Sequence, residues 1–272
     1  MAKTSFREHI RFKQLGLYYD NPTLFTISQW QFNKSQPNTL YMIYRILVSA
    51  FTLVVWSIRV SGMEDATHLT MWGYTIVTLN ALLAFVLQFA SMLFIRISHK
   101  PNKMQNVLKL YPLYWLINSI ATSVGFLISF LYWSFVFNDQ VLDVMNFLVH
   151  GGNSILLMID LWIVANPVRI LHFVYPLVFA VMYNIFSIIY HFYDVNRGGC
   201  GYIYRILDWN HPVKTFLISI GIGIVVISFH LLTFGIYKLK LSIHNTTMLA
   251  KSRRLAEEEV ENKQNLNKAA LI

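Results

Sequence analysis

Six stretches of mostly apolar residues divide the 272-residue chain, near Thr39–Val60, Thr70–Ile97, Leu110–Phe137, Val141–Ala165, Val168–Tyr193 and Thr215–Leu239. Each is at least as long as the roughly 20 residues of helix that cross a hydrocarbon core about 30 Å thick. Inside a bilayer the backbone N–H and C=O groups have no water to bond, so such segments are predicted as helices. The second and third stretches exceed the needed length, which predicts tilt or interfacial ends. The pattern therefore gives an all-α membrane protein, a six-transmembrane-helix bundle over residues 38–240. A polar N-terminal segment, 1–37, precedes the bundle and a charged tail, 241–272, follows it. The connections are short and hold no soluble domain.

Polar positions inside the apolar stretches are patterned as well. In the fourth, Asp143, Asn146, His150, Asn153, Leu157 and Asp160 recur in alternating steps of three and four, which places them on one helix face. Lipid cannot satisfy such a stripe, so it is predicted to face the bundle interior or a water-filled cavity. The first stretch carries Arg45, Ser49, Thr52, Trp56 and Arg59 at similar spacings. The two stretches run in opposite directions, and matching their depths pairs Arg45 with Asp160 and sets Ser49 and Thr52 near His150. A contact between the two spans is expected, with Arg45–Asp160 as a buried ion pair. Ionisable groups at membrane depth are costly and mark candidate functional sites. His150 carries a functional and a structural reading side by side. Asn146, Asn153 and Ser154 read as hydrogen-bonding contacts between helices. His172 and His230 lack a polar stripe and read as structural. His191 and Asp194 provide two ligands, too few for a metal site, and no metal is expected.

Composition supports the membrane class. Hydrophobic residues make up 56% and charged residues 13%, against about 25% charged in an average soluble domain. That excludes a disordered chain and most soluble enzymes, and a single cysteine, Cys200, excludes a disulfide scaffold. The net charge of +9 would suggest nucleic acid in a soluble protein, but here the basic residues sit at the ends of the spans. Of the 22 Lys and Arg, 17 fall on the side of both termini and 4 on the other, with Arg45 inside the first span. That bias predicts cytoplasmic termini. No His-Glu-x-x-His, Gly-x-Ser-x-Gly or Walker-type loop is present, so no cofactor is expected. The partner implied is the lipid bilayer, and no nucleic acid. No internal repeat suggests a transporter built from two halves.

Several motifs have a familiar look. Ser28-Gln-Trp-Gln precedes the first span, Tyr44-Arg-Ile-Leu lies within it, and Trp72-Gly-Tyr opens the second. His150-Gly sits in the fourth span, followed by Asn166-Pro-Val-Arg-Ile-Leu-His-Phe-Val-Tyr-Pro, Gly201-Tyr-Ile-Tyr and Leu207-Asp-Trp. In these motifs, spread over residues 28–212, the chain resembles the rolling stone family of invertebrate membrane proteins. The resemblance implies a multi-pass protein of the plasma membrane connected with myoblast fusion during muscle development, with membrane proteins of the fusion machinery as partners. In His150-Gly and Gly201-Tyr-Ile-Tyr the chain is also similar, more distantly, to the androgen-induced-gene family of membrane hydrolases. That similarity implies cleavage of fatty-acid esters by an intramembrane Thr and His, with His150 as the base. The family's Thr position falls on Met42, which leaves Thr39, one turn earlier, and Thr52, nearest His150 in depth, as the candidate nucleophiles.

Overall fold

The computed structural model describes residues 11–31, 34, 38–61, 66–98, 108–137 and 143–269. The chain divides after Phe234 into two compact units. Among the described residues, six helices are long and apolar enough to cross a membrane. The only extended pairing among them is an isolated antiparallel bridge, Ser28–Val164. We label the helices α1 (Thr39–Val60), α2 (Leu69–Ser98), α3 (Tyr111–Val136), α4 (Val144–Ile163), α5 (Ile170–Val195) and α6 (Pro212–Ala269). The first five begin and end within three residues of the expected bounds. The expected start of the fourth, Val141, lies outside the described residues. Expected to end at Leu239, α6 instead continues to Ala269. After Gly235 no further Gly or Pro interrupts a run rich in helix formers. Its residues past Phe234 make up the second unit.

Local sequence explains the helix bounds. The side chain of Asn38 accepts from Leu40 N at 2.7 Å and so caps α1, and that of Asp143 accepts from Met145 N at 3.2 Å to cap α4. Pro112 and Pro212 stand in the first turns of α3 and α6, where their missing N–H costs nothing. Pro167 biases Asn166 toward extended backbone, and α4 stops just before it.

Within the first unit, helix α3 is the hub, packed on α2, α4 and α5. The short α1–α2 connection makes those two helices antiparallel neighbours, and α1 packs mainly on α2. Two glycines permit close approach. A Cβ on Gly73 would collide with Ile128, and one on Gly125 would collide with Leu157.

Residues 11–31 of the N-terminal segment fold against the bundle. Phe25 is fully buried in a cluster with Ala84, Leu87, Tyr111, Tyr114 and Trp115. Beside it the chain meets the end of α4: Gln29 N and Ser28 Oγ donate to Ile163 O at 2.8 and 3.0 Å, and Trp30 Nε1 donates to Trp162 O at 2.8 Å. A helix end leaves its last carbonyls without intrahelical donors, and here the N-terminal segment supplies them.

The α3–α4 approach gives a direct test. Gly125→Val is expected to lower the melting temperature of the purified protein through overpacking worth about 1–3 kcal/mol. Adding Leu157→Ala should recover part of that loss.

Candidate functional site

Helix α4 carries one polar site near each end. At its C-terminal end, Arg45 Nη1 of α1 meets Asp160 Oδ1 at 2.7 Å, with Arg45 1% exposed. Tyr44 OH donates to the same carboxylate oxygen at 2.9 Å. Three further guanidinium hydrogen bonds go to phenols: Nε and Nη2 reach Tyr41 OH at 3.0 and 2.6 Å, and Nη2 reaches Tyr114 OH at 3.2 Å. Asn166 Nδ2 closes the set by donating to Tyr114 OH at 2.7 Å. A buried charge survives only when paired and hydrogen-bonded, and this network meets both conditions.

The second site is built on an irregularity. Leu148–Gly152 is π-helical, so α4 contains one wide turn centred on His150. Such a turn disturbs the regular carbonyl pairing, and side chains of α3 compensate. Ser129 Oγ donates to His150 O and lies 2.5 Å from Ser154 Oγ, which in turn reaches Gly125 O at 3.3 Å. The His150 ring stacks on Tyr132 with centroids 3.5 Å apart, is 5% exposed, and has no hydrogen-bond partner at Nδ1. His150, Tyr132 and Asn146 line a cavity of about 250 Å³ together with Arg59, His68 and Tyr204. His68 Nδ1 likewise has no partner.

Of the stripe read from the sequence, His150, Asn153, Leu157 and Asp160 are buried, and Asn146 lines the cavity. Asp143 does not join them. It is exposed and caps α4, because the helix begins only after it. The polar face of α1 meets α2 rather than α4 over most of its length: Ser49 Oγ donates to Ala81 O at 2.9 Å, and Trp56 Nε1 to Thr75 Oγ1 at 2.9 Å. Thr52 is fully buried, with its hydroxyl bonded to Val48 O at 3.0 Å and Ser49 O at 3.2 Å in its own helix. Thr39 is exposed in the first turn of α1, at the opposite end of that helix from Arg59 and the cavity. Thr52 and Thr39 are therefore not assembled with His150. Among the described residues, the threonine that lines its cavity is Thr70, beside the phenols Tyr132 and Tyr204.

Two other histidines meet serines that no pattern in the sequence singles out. Ser123 Oγ lies 3.2 Å from His230 Nδ1, and His230 Nε2 lies 2.9 Å from Arg169 O. A carbonyl can only accept, so Nε2 carries the proton; the Ser123 hydroxyl lies between Nδ1 and Ser119 O, which it reaches at 3.1 Å. Ser119 Oγ and His172 Nδ1 are 3.4 Å apart. All four side chains tie α3 to its neighbours, and none lines the cavity at His150. His191 Nδ1 and Asp194 Oδ2 bond Gly201 O and N at 2.8 Å each, which holds the turn at Gly201, where φ is +77°. Among the described residues, no three His, Cys, Asp or Glu gather as a metal site would require.

With this geometry in place, comparison with known proteins decides the family. The family model described as "Protein rolling stone" matches residues 2–254. The chain belongs to the rolling stone family. Protein rolling stone of Drosophila melanogaster is 29% identical over 253 residues, which cover 87% of this chain and 90% of that protein. No solved structure matches.

Two of the stretches that carry the resemblance come near the end of α4. Ser28, Gln29 and Trp30 bond to Trp162 and Ile163, and the run from Asn166 begins three residues after Ile163. Within that run Arg169 Nη1 and Nη2 donate to Gly16 O and Tyr18 O at 2.6 and 2.9 Å, with the guanidinium 4.6 Å from the Trp115 ring. Tyr175 OH donates to Leu15 O. Burial pulls Arg169 below its ordinary pKa, although an arginine shifted in that direction remains a cation at neutral pH, and burial pushes the Tyr19 phenol up.

The wide turn of α4 depends on Ser129. Ser129→Ala is expected to leave the His150 carbonyl without its side-chain donor and to cost about 1–3 kcal/mol, read as a lower melting temperature. Ser129→Thr keeps the hydroxyl and should retain most of the stability.

Proposed function

We propose that this is a plasma-membrane protein acting in myoblast fusion during muscle development, with both termini in the cytoplasm. Family membership over residues 2–254, a range that takes in every membrane-spanning helix, is the observation that carries the reading. The orientation rests on the 17 of 22 basic residues on the terminal side of the spans. The partners on this reading are the bilayer and membrane proteins of the fusion machinery. On this reading the buried Asn153 and Asp160 of α4 maintain the bundle, and Asn146 and His150 shape the cavity.

A second reading is an intramembrane hydrolase of fatty-acid esters, favoured by the unpartnered Nδ1 of His150 beside a cavity. A histidine in that position can serve as a general base. Thr70 then replaces Thr52 and Thr39 as the nucleophile to test, since it alone of the three lines the same cavity.

In Drosophila myoblasts deprived of their own rolling stone protein, expression of this chain is expected to restore multinucleate myotubes. Correct surface delivery without restored fusion would contradict the first reading. Fluorophosphonate labelling of the folded protein separates the second reading: the first expects none. Labelling lost in both His150→Ala and Thr70→Ala would establish the hydrolase.

A further inference from the structure

The cavity at His150 has an apolar neighbour. A groove of about 470 Å³ runs between α5 and α6, walled by Leu177, Val181, Phe216, Ile220 and Ile224 among others. Leu69, Leu207 and Ile222 line both the cavity and the groove, so the two adjoin across these three side chains. Their chemistry differs. Arg59, His68, His150, Asn146, Tyr132 and Tyr204 give the cavity polar groups set among apolar side chains such as Leu131, Phe135 and Ile206. The groove offers hydrocarbon almost throughout, with Asn184 and Ser219 among its few polar linings. Val181, Phe216 and Ile224 are half or more exposed, as befits a groove that opens toward lipid.

The arrangement is also ordered along the membrane normal. The cavity sits where spans end: Arg59 is the penultimate residue of α1, Leu69 opens α2, Val136 closes α3, and Asn146 lies in the first turn of α4. The groove extends from Phe216 to Ile227 along α6, about 16 Å of helical rise from that same end toward the middle of the span. A chamber with clustered polar groups at the boundary and an apolar channel running inward match the two parts of a lipid standing in one leaflet. Both volumes fall near the range of small-molecule sites, roughly 300–1,000 Å³.

We propose that this pair of chambers binds a single-chain anionic lipid, its headgroup held by Arg59, His68 and His150 and its acyl chain laid in the α5–α6 groove. The guanidinium of Arg59 supplies a permanent positive charge and a planar set of donors suited to carboxylate or phosphate oxygens. The unpartnered Nδ1 atoms of His68 and His150 add donors or acceptors that nothing else in the described structure satisfies. A carboxylate and a phosphate headgroup share this chemistry. The binding claim goes beyond the fusion reading and stands or falls without it.

The test uses the full chain in nanodiscs with photoactivatable stearate and photoactivatable lysophosphatidate, and inorganic phosphate as a headgroup without a tail. At least one lipid probe is expected to label residues 177–184 and 216–227 in preference to the other spans. The stronger of the two identifies the headgroup. Arg59→Gln should reduce that labelling about tenfold, the loss of one charged hydrogen bond at about 1.4 kcal/mol per decade. Ala180→Trp, placed in the groove wall, should block the tail independently of the headgroup, and melting curves confirm that both variants fold. Labelling spread evenly over all lipid-facing helices and indifferent to both substitutions would overturn the proposal. So would equal labelling by a photoactivatable monoacylglycerol, or stabilisation by phosphate alone equal to that by lysophosphatidate.

Discussion

The bundle is organised around one constraint: a full positive charge on Arg45 lies inside a membrane-spanning helix with 1% of its surface exposed. Water cannot reach it, so the protein surrounds it with Asp160, Tyr41 and Tyr114. Those partners come from α1, α3 and α4, and satisfying the guanidinium therefore fixes the lateral positions of three helices together. An ion pair buried this deeply adds little net stability by itself. What it adds is specificity, because any sliding of α4 along α1 would leave two unpaired charges in hydrocarbon.

With α4 pinned near its C-terminus, its irregularities acquire partners. Its last carbonyls are met by Ser28, Gln29 and Trp30 from the N-terminal segment, and the wide turn at His150 is met by Ser129 from α3. A regular helix would still need donors for its last carbonyls, but not the one that Ser129 supplies at the wide turn. The wide turn carries His150 against Tyr132 and into the wall of a cavity closed by Arg59, His68 and Tyr204, which lie in three other parts of the chain. The polar site is thus a product of the same bonding requirement that governs the ion pair.

Span positions were legible in the sequence because hydropathy and the thickness of a bilayer leave few alternatives. Depth matching set Arg45 opposite Asp160, and the two side chains lie 2.7 Å apart. The rest of the site was less accessible, for identifiable reasons. Alternating steps of three and four assume a regular helix, and the π-helical turn at Leu148–Gly152 breaks that assumption between Asp143 and Asn153. Asp143 is a helix cap, a role that depends on where the helix begins rather than on its face. The α1 stripe was assigned to α4 by depth alone, whereas the short connection after Val60 delivers Ser49 and Trp56 to α2. The meeting of Arg59, His68 and Tyr204 with His150 joins positions far apart in the chain, and no local pattern encodes it. The Ser28-Gln-Trp-Gln motif was visible as a motif, but its role at the end of α4 required the three-dimensional arrangement.

The most direct test of the pinning of α1 to α4 is a double-mutant cycle on Arg45 and Asp160, with thermal melting of the purified protein as the readout. Arg45→Met and Asp160→Leu should each cost about 3–5 kcal/mol by stranding the opposite charge, and the double variant should recover most of the loss. Strictly additive effects of the two substitutions would show that the pair does not hold α1 to α4.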